Sequence, residues 1–402
     1  MNILYITPSL QHPAIPGSHR HYHFLKELSR QHRIVLLTLA RAEVPAHVSR
    51  DLLGIARQLF VFNSTDHQRH NPALRLLGKI PIIGHALSKE ISLRASIGKM
   101  KARFRELTGR EHFDVIVLHG KATYKVVARC RDIPIVSDMC DATSMRVKAQ
   151  IRHSRGWKLP MRLLRLAQTR MLEKAIVRTS RKVAFISPRD QEAIISTGSH
   201  WQIIPNGVDL DYWQRRTGLP ADNVIIFTGV MSYAPNEAAA LLLIGKVLPI
   251  IRKAVADARV LIVGSSPSAA LKKAGDAVPG VTVTGYVEDL RPYLEQAAVF
   301  AAPLHIASGQ QNKVLEAMAM ALPVVTTPVV ADGLRLTRAS TVPVAIAEDP
   351  EACAGHIIRL LQNAGERRDL AAAGRRFVEQ TFSWRSSGRK FEDLCFAAAE
   401  GL

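Results

Sequence analysis

Short runs rich in Val, Ile and Leu recur along this chain, and between them lie segments patterned like helices. "NILYITPS", "RIVLLTLA", "QLFVFNS", "DVIVLHG", "IPIVSD", "KVAFIS" and "WQIIPNGV" form a first series. Continuous apolar runs of this kind belong to parallel strands buried on both faces, because each crossover lays a helix over the sheet. After the polar stretch "NGVDLDYWQRRTGLPADN" the alternation restarts with "VIIFTGV", "ARVLIVGSS", "VTVTGYV", "VFAAPL" and "PVVTT". A restart after a stretch bearing Gly and Pro marks a domain boundary near residues 210–222. The expected fold class is α/β, with two doubly wound Rossmann-like domains facing each other across a deep cleft. The length agrees, since 402 residues exceed one ordinary core and suit two such domains. The expected units are residues 1–210, residues 211–380 and a terminal helix in 381–402 that packs back on the first domain.

Charge is the second constraint. Lys and Arg number 54 against 34 acids, a formal net charge of +20, so an acidic partner or surface is expected. The excess gathers in residues 69–105, with nine Lys/Arg and one acid, and in residues 146–182, with twelve and one. Leu, Ile, Met and Trp lie between these cations, which suits an interfacial surface on anionic lipid. Nucleic acid is the competing partner, but no binding motif or aromatic stacking series supports it. No run of about twenty apolar residues free of charge or proline is evident, and "MNILYITPSL" reads as a strand, not a signal peptide. Cys130, Cys140, Cys353 and Cys395 form no Cys-x-x-Cys pair and no zinc-type spacing, as for free thiols in a reducing compartment. A cytoplasmic protein, peripheral at the inner face of the membrane, is the expectation.

Candidate chemistry sits where strands end. In "HIASGQQNKVLEAMAMALPVV" a small-residue turn, Ser308 and Gly309, leads through Gln310, Gln311 and Asn312 into a helix with Lys313 in its first turn. First-turn backbone N–H groups make a ready anion site, and a bound phosphate reverses the repulsion that the helix dipole exerts on Lys313. Glu316, three residues on, projects from the same face; a plain surface Lys–Glu pair is the competing reading. Gly229 in "TGVMSYAPNEAA" and Gly285 with Tyr286 in "VTGYVEDLRPYLEQA" place open backbone and an aromatic ring at the ends of further strands, each a weak signal alone.

In the earlier half, Gly17 of "SLQHPAIPGSHRHYHFL" precedes a helix and offers backbone amides to a phosphate. His19, His21 and His23 alternate, so they cannot share one metal on a helix, and a solvated face is expected of them. His119 ends the strand "DVIVLH", where α/β ligands bind. Asp138 and Asp141 end the next strand, either facing the same cleft or capping the following helix.

"LEAMA" at Leu315–Ala319, "PVV" at Pro323–Val325, "IPNGVD" at Ile204–Asp209, "TGYVEDLRPYLEQAAVFAAPL" at Thr284–Leu304 and "FSW" at Phe382–Trp384 resemble, in order and spacing, the GT-B glycosyltransferases of family 4, retaining enzymes with nucleotide-sugar donors. The resemblance covers nearly the whole chain. It implies that Glu316 binds the donor ribose, that the diphosphate rests on the helix start and Lys313, that Gly17 approaches the diphosphate or sugar, and that His119 contacts the transferred sugar. His119 and Lys313 are thereby the expected catalytic residues; Gly17, Gly229, Tyr286, Ser308, Gly309, Gln310, Gln311, Asn312, Lys313 and Glu316 the expected donor-binding ones. No metal or cofactor is implied beyond the nucleotide-sugar co-substrate, and the "PNGVD" turn is structural.

Two departures from the family pattern stand out. Ser308 replaces the first acid of the Glu-x7-Glu motif, and Val230, Met231, Pro235 and Asn236 stand where the family carries an Arg and a Lys. A bacterial exopolysaccharide-type subset resembles this pattern, with Lys313 supplying the cation. The resemblance therefore implies transfer to a saccharide acceptor, lipid-linked, in cell-surface or exopolysaccharide assembly. The alternative is a catalytically weak homologue serving as a membrane-associated assembly partner.

Overall fold

The structure, a computed structural model, describes residues 1–15, 20–40, 42–63, 83–151, 158–195, 198, 200–220, 222–307, 309–337 and 339–401. Two all-parallel sheets organise it. The first holds β1 (Asn2–Thr7), β2 (Arg33–Ala40), β3 (Gln58–Asn63), β4 (Val115–His119), β5 (Ile135–Cys140), β6 (Lys182–Phe185) and β7 (Trp201–Ile203) in the order β3-β2-β1-β4-β5-β6-β7. The second holds β8 (Val224–Thr228), β9 (Arg259–Val263), β10 (Val281–Val283), β11 (Val299–Ala302), β12 (Val324–Thr326) and β13 (Ala345–Ile346) in the order β10-β9-β8-β11-β12-β13. Each is doubly wound, and its strand order reverses between β1 and β4, or between β8 and β11, which opens a crevice at the carboxyl ends there.

The apolar runs explain the burial. Ile3, Tyr5, Val115 and Val117 feed one face of the first sheet, while Leu4, Ile6, Ile116 and Leu118 feed the other. Strictly alternating faces, both apolar, are what a sheet covered by helices on both sides requires. A separate core fills the second domain. Its helical stretch Ala234–Arg252 is long and apolar enough to cross a membrane by length and composition, but it carries Pro235, Glu237, Lys246 and Pro249, and Ala239, Ala240, Leu243, Ile244, Val247, Leu248 and Ile251 pack into that core.

The chain leaves the second domain through the helix Ala364–Thr381 and crosses back. Ser383 caps the helix Trp384–Ala399, its side chain accepting from the Ser386 N–H, and Phe391, Leu394, Cys395 and Ala398 join the first-domain core. Phe391 stacks on Phe24 at 4.5 Å. The crossing passes the "PNGVD" turn: the Val208 N–H donates to the Phe382 carbonyl at 2.9 Å, and a Cβ on Gly207 would lie 2.4 Å from the Trp384 nitrogen. Glycine is thus required at 207 by close approach of the backbone.

Candidate active site

Begin at the amino end of the helix Asn312–Ala319. Gln311 precedes it with extended backbone and no side-chain cap, and no acid lies in its first turn. The Val314 N–H turns back onto the Gln311 carbonyl at 2.9 Å, and among the described residues no side chain caps the Asn312 and Lys313 amides, which are left for an incoming acceptor. At the other end Arg215 Nε donates to the Met320 carbonyl at 2.9 Å and Arg375 Nη1 donates to the Ala319 carbonyl. Two cations on the carboxyl end complement the dipole and leave its positive end unopposed.

Lys313 reaches across to the end of β8. Its Nζ donates to Asn236 Oδ1, and a Cβ on Gly229 would stand 3.2 Å from that nitrogen. The ammonium therefore occupies the strand end where the sequence departs from the family's cations, and Asn236 fixes it there while donating to the Val230 carbonyl at 2.9 Å. Burial lowers Lys313 to about 8, against the pull of Glu316. Burial raises Glu316 to about 7, against the pull of Lys313. Each is thus held close to the neutral range, the state expected of groups whose charged forms await a partner. Gly264, after β9, presses on the same loop: a Cβ there would fall 1.8 Å from the Gly229 carbonyl oxygen. Gly285 has open space around it, and Tyr286 beside it is 77% exposed.

The first domain contributes a buried polar cluster at the carboxyl ends of β1, β4 and β5. Arg20 Nε donates to Asp138 Oδ2 at 2.7 Å and its Nη2 donates to the Ile204 carbonyl at 2.8 Å. His21 Nε2 lies 2.9 Å from Asp138 Oδ2, and the His21 ring stacks on His119 at 3.6 Å. Burial alone would raise the Asp138 carboxyl, but Arg20 and His21 hold it well below the usual range. Burial, then the His21 ring, drives His119 well below 6.5, which favours its neutral form. His21, His119, Asp138 and Cys140 have ligand atoms within 4.8 Å of one another, a set able to hold a metal. Arg20 already supplies the positive charge Asp138 needs, so no cation is required to satisfy it.

The domains meet through the "PNGVD" turn. Arg20 Nη1 donates to Asn206 Oδ1 at 3.1 Å, Asn206 Nδ2 donates to Asn312 Oδ1 at 2.9 Å, and the Asn206 N–H donates to Gln310 Oε1 at 2.7 Å. Gln310 and Asn312 thus direct side-chain oxygens at the turn, which leaves their backbone, not those atoms, for a ligand. Gly309, at φ +60°, lies so close to the first domain that a Cβ would stand 3.2 Å from the Asp141 Cβ.

The arrangement brings Gly229, Gly309, Gln310, Gln311, Asn312, Lys313 and Glu316 around one helix start, with His119 at the carboxyl end of β4. Gly17, Ser308 and His19 lie outside the described residues. The solvated histidine face is corrected: His21 is fully buried and His23 stacks on Trp384 at 4.3 Å, because the helix Arg20–Leu28 turns both toward packed neighbours. Asp138 is an ion-paired core group and not a cap, whereas Asp141 stands 4.0 Å from Arg146. Arg20 and Asn206 escaped sequence reasoning, since neither an arginine at a helix start nor a turn asparagine signals a buried partner distant in the chain.

Comparison with known proteins agrees with this fold. The family model described as Glycosyl transferases group 1 matches residues 222–363. No curated protein matches the sequence. Among solved structures, sucrose-phosphate synthase from Thermosynechococcus elongatus is similar at 18% identity over 100% of both chains, with a TM-score of 0.69. HepE of Anabaena, in complex with UDP and glucose, is similar at 15% identity over 98% of both chains, TM-score 0.62. A TarM mutant of S. aureus, in complex with Fondaparinux, alpha-GlcNAc-glycerol and UDP, is similar at 10% identity over 98% of this chain and 99% of its own, TM-score 0.64. The chain thus has the two-domain GT-B fold of glycosyltransferases, and its second domain matches the group 1 glycosyl transferase family.

Proposed function

We propose that the protein is a retaining glycosyltransferase of the family 4 type. It moves a sugar from a nucleoside-diphosphate donor to a saccharide acceptor, lipid-linked, in cell-surface or exopolysaccharide assembly. The observation that carries the reading is the Lys313 ammonium, held at the amino end of its helix against Gly229 by Asn236. Glycosyl transfer builds positive charge on the sugar and negative charge on the leaving phosphate. A fixed ammonium and free helix amides stabilise that second charge without reorganising, which is the largest lever such a site has. In this reading Glu316, half-buried three residues on, accepts from the ribose hydroxyls, and His119, whose neutral form burial favours, hydrogen-bonds the transferred sugar.

Retention follows from a same-face reaction. The acceptor oxygen bonds to the anomeric carbon as the bond to the diphosphate breaks, and the acceptor proton passes to the departing phosphate oxygen. An inverted anomer in the product overturns this part of the reading. Uridine diphosphate is the first donor to try, since HepE structures hold UDP and UDP-glucose.

A thermal-shift series with uridine, guanosine, adenosine and thymidine diphosphates tests the donor site, because a ligand stabilises by mass action, about 2.7 kcal/mol at a hundredfold excess over Kd. One diphosphate should raise Tm in the wild type, with the shift abolished by Lys313→Ala and reduced by Glu316→Ala. No shift with any of the four sinks the proposal. The second reading, a catalytically weak assembly partner, is favoured by Val230, which is 53% exposed where the family carries a cation. Donor hydrolysis that vanishes in Lys313→Ala rules it out.

A further inference from the structure

A cavity of 460 Å³ opens in the first domain between the helices Thr143–Ile151, Lys158–Thr179 and Pro188–Ile194. The first of these helices follows β5 and the last follows β6, so the cavity lies at the carboxyl ends of the strands, the edge where this fold places ligands. It borders the cleft: Arg189 in its wall donates to the Val329 carbonyl at 2.6 Å and the Gly309 carbonyl at 3.3 Å, the latter in the loop that leads into the Lys313 helix. None of the residues assigned above to the donor lines it.

Its walls are cationic. Lys148, Arg170 and Arg189 face the space together with one acid, Glu192, while Met145 and Ala149 supply apolar wall. Other basic groups nearby are neutralised, Lys121 by Glu173 at 2.9 Å and Arg146 by Asp141 at 4.0 Å. Among the described residues no carboxylate pairs with Lys148 or Arg170, and the buried Nε of Arg189 has no acceptor. Lys148 and Arg170 are exposed, so an ammonium and a guanidinium reach the space from two helices, and such a pair matches phosphate oxygens. The helix that carries Arg170 also exposes Leu159, Met161, Leu163 and Leu164 near its other end, apolar surface suited to lipid.

We propose that this cavity is the acceptor-phosphate subsite, holding through Lys148 and Arg170 the phosphate that joins an acceptor saccharide to its lipid, with Arg189 tying its wall to the loop at Gly309. The proposal rests on the glycosyltransferase reading for its role, but its phosphate chemistry is testable apart from the donor. Isothermal titration with farnesyl diphosphate, run with UDP at saturation so that the donor clamp is filled, supplies the probe. The wild type should bind farnesyl diphosphate and ignore farnesol. Lys148→Gln combined with Arg170→Gln should weaken that binding by roughly tenfold or more while leaving UDP affinity and Tm in place, and Lys148→Arg with Arg170→Lys should restore it. Lys313→Ala should do the reverse, weakening UDP and sparing farnesyl diphosphate.

Binding that the double variant does not change, or that Lys313→Ala abolishes, overturns the proposal. A double variant that loses only sedimentation with phosphatidylglycerol vesicles makes the cavity a bilayer headgroup contact and overturns it as well. If UDP fails to bind while farnesyl diphosphate still depends on Lys148 and Arg170, the donor reading falls and the phosphate site stands.

Discussion

Lys313 and Glu316 titrate against each other across one helical turn, Lys313 at about 8 and Glu316 at about 7. The signs oppose. Below about 7 Glu316 takes up a proton and loses acceptor strength for a ribose; above about 8 Lys313 gives one up and no longer neutralises phosphate. Nucleoside-diphosphate affinity should therefore peak between these values and fall on both sides, measured by calorimetry in matched buffers. Lys313→Arg, which stays charged, should remove the alkaline fall and keep the acid one; a flat profile in the wild type refutes the assignment. Of the site residues, those on the helix start were legible, because an anion site needs only a turn, a helix and a cation in sequence order. Arg20, His21 and Asp138 were not. Their meaning lies in a salt bridge spanning 118 residues, and a local pattern of alternating histidines points to solvent instead.

The helix Asn312–Ala319 is a short element held at both ends by residues from elsewhere. Asn206 secures its start and Arg215 and Arg375 its end. Arg375→Ala removes charge-assisted bonds to the Trp213 and Ala319 carbonyls and should cost about 1–3 kcal/mol in guanidinium unfolding. The midpoint should drop at unchanged slope, and a loss below 0.5 kcal/mol would show the contact to be idle. Strand legibility followed burial in the same way. The long apolar runs announced β1 to β12, whereas β13 spans two residues at the sheet edge, with Ile346 39% exposed, and leaves no periodic trace. Edge strands this short carry too little buried surface to select their own composition.

For the molecule as a whole, the two-sheet architecture was legible because each sheet writes its own series of apolar runs. Their facing across a cleft was expected with it; the contacts that join them were not, since the Asn206 bonds and the Gly309 approach depend on tertiary placement. Net charge is likewise a whole-molecule property, and the exposed Leu159, Met161, Leu163, Leu164 and Met171 share a helix with six Lys and Arg residues. Peripheral attachment at an anionic membrane predicts co-sedimentation with phosphatidylglycerol vesicles that weakens with salt, roughly 1 kcal/mol being carried per cation at the surface. Equal pelleting with neutral vesicles, or none with either, sinks that expectation. Leu163→Asp with Leu164→Asp should abolish pelleting at unchanged Tm.

The return of the helix Trp384–Ala399 sets a timetable for biosynthesis. Phe391, Leu394, Cys395 and Ala398 belong to the core of the first domain but leave the ribosome after the whole second domain. The domain translated first is thus the one that must wait, its helix Arg20–Leu28 lacking the Phe391 stack until translation has passed residue 391. The main core of the second domain has its last member at Phe382, ahead of Phe391 in the chain. Order of synthesis and order of completion are reversed in this chain, and a nascent-chain protease assay would see protection arise first in the later half.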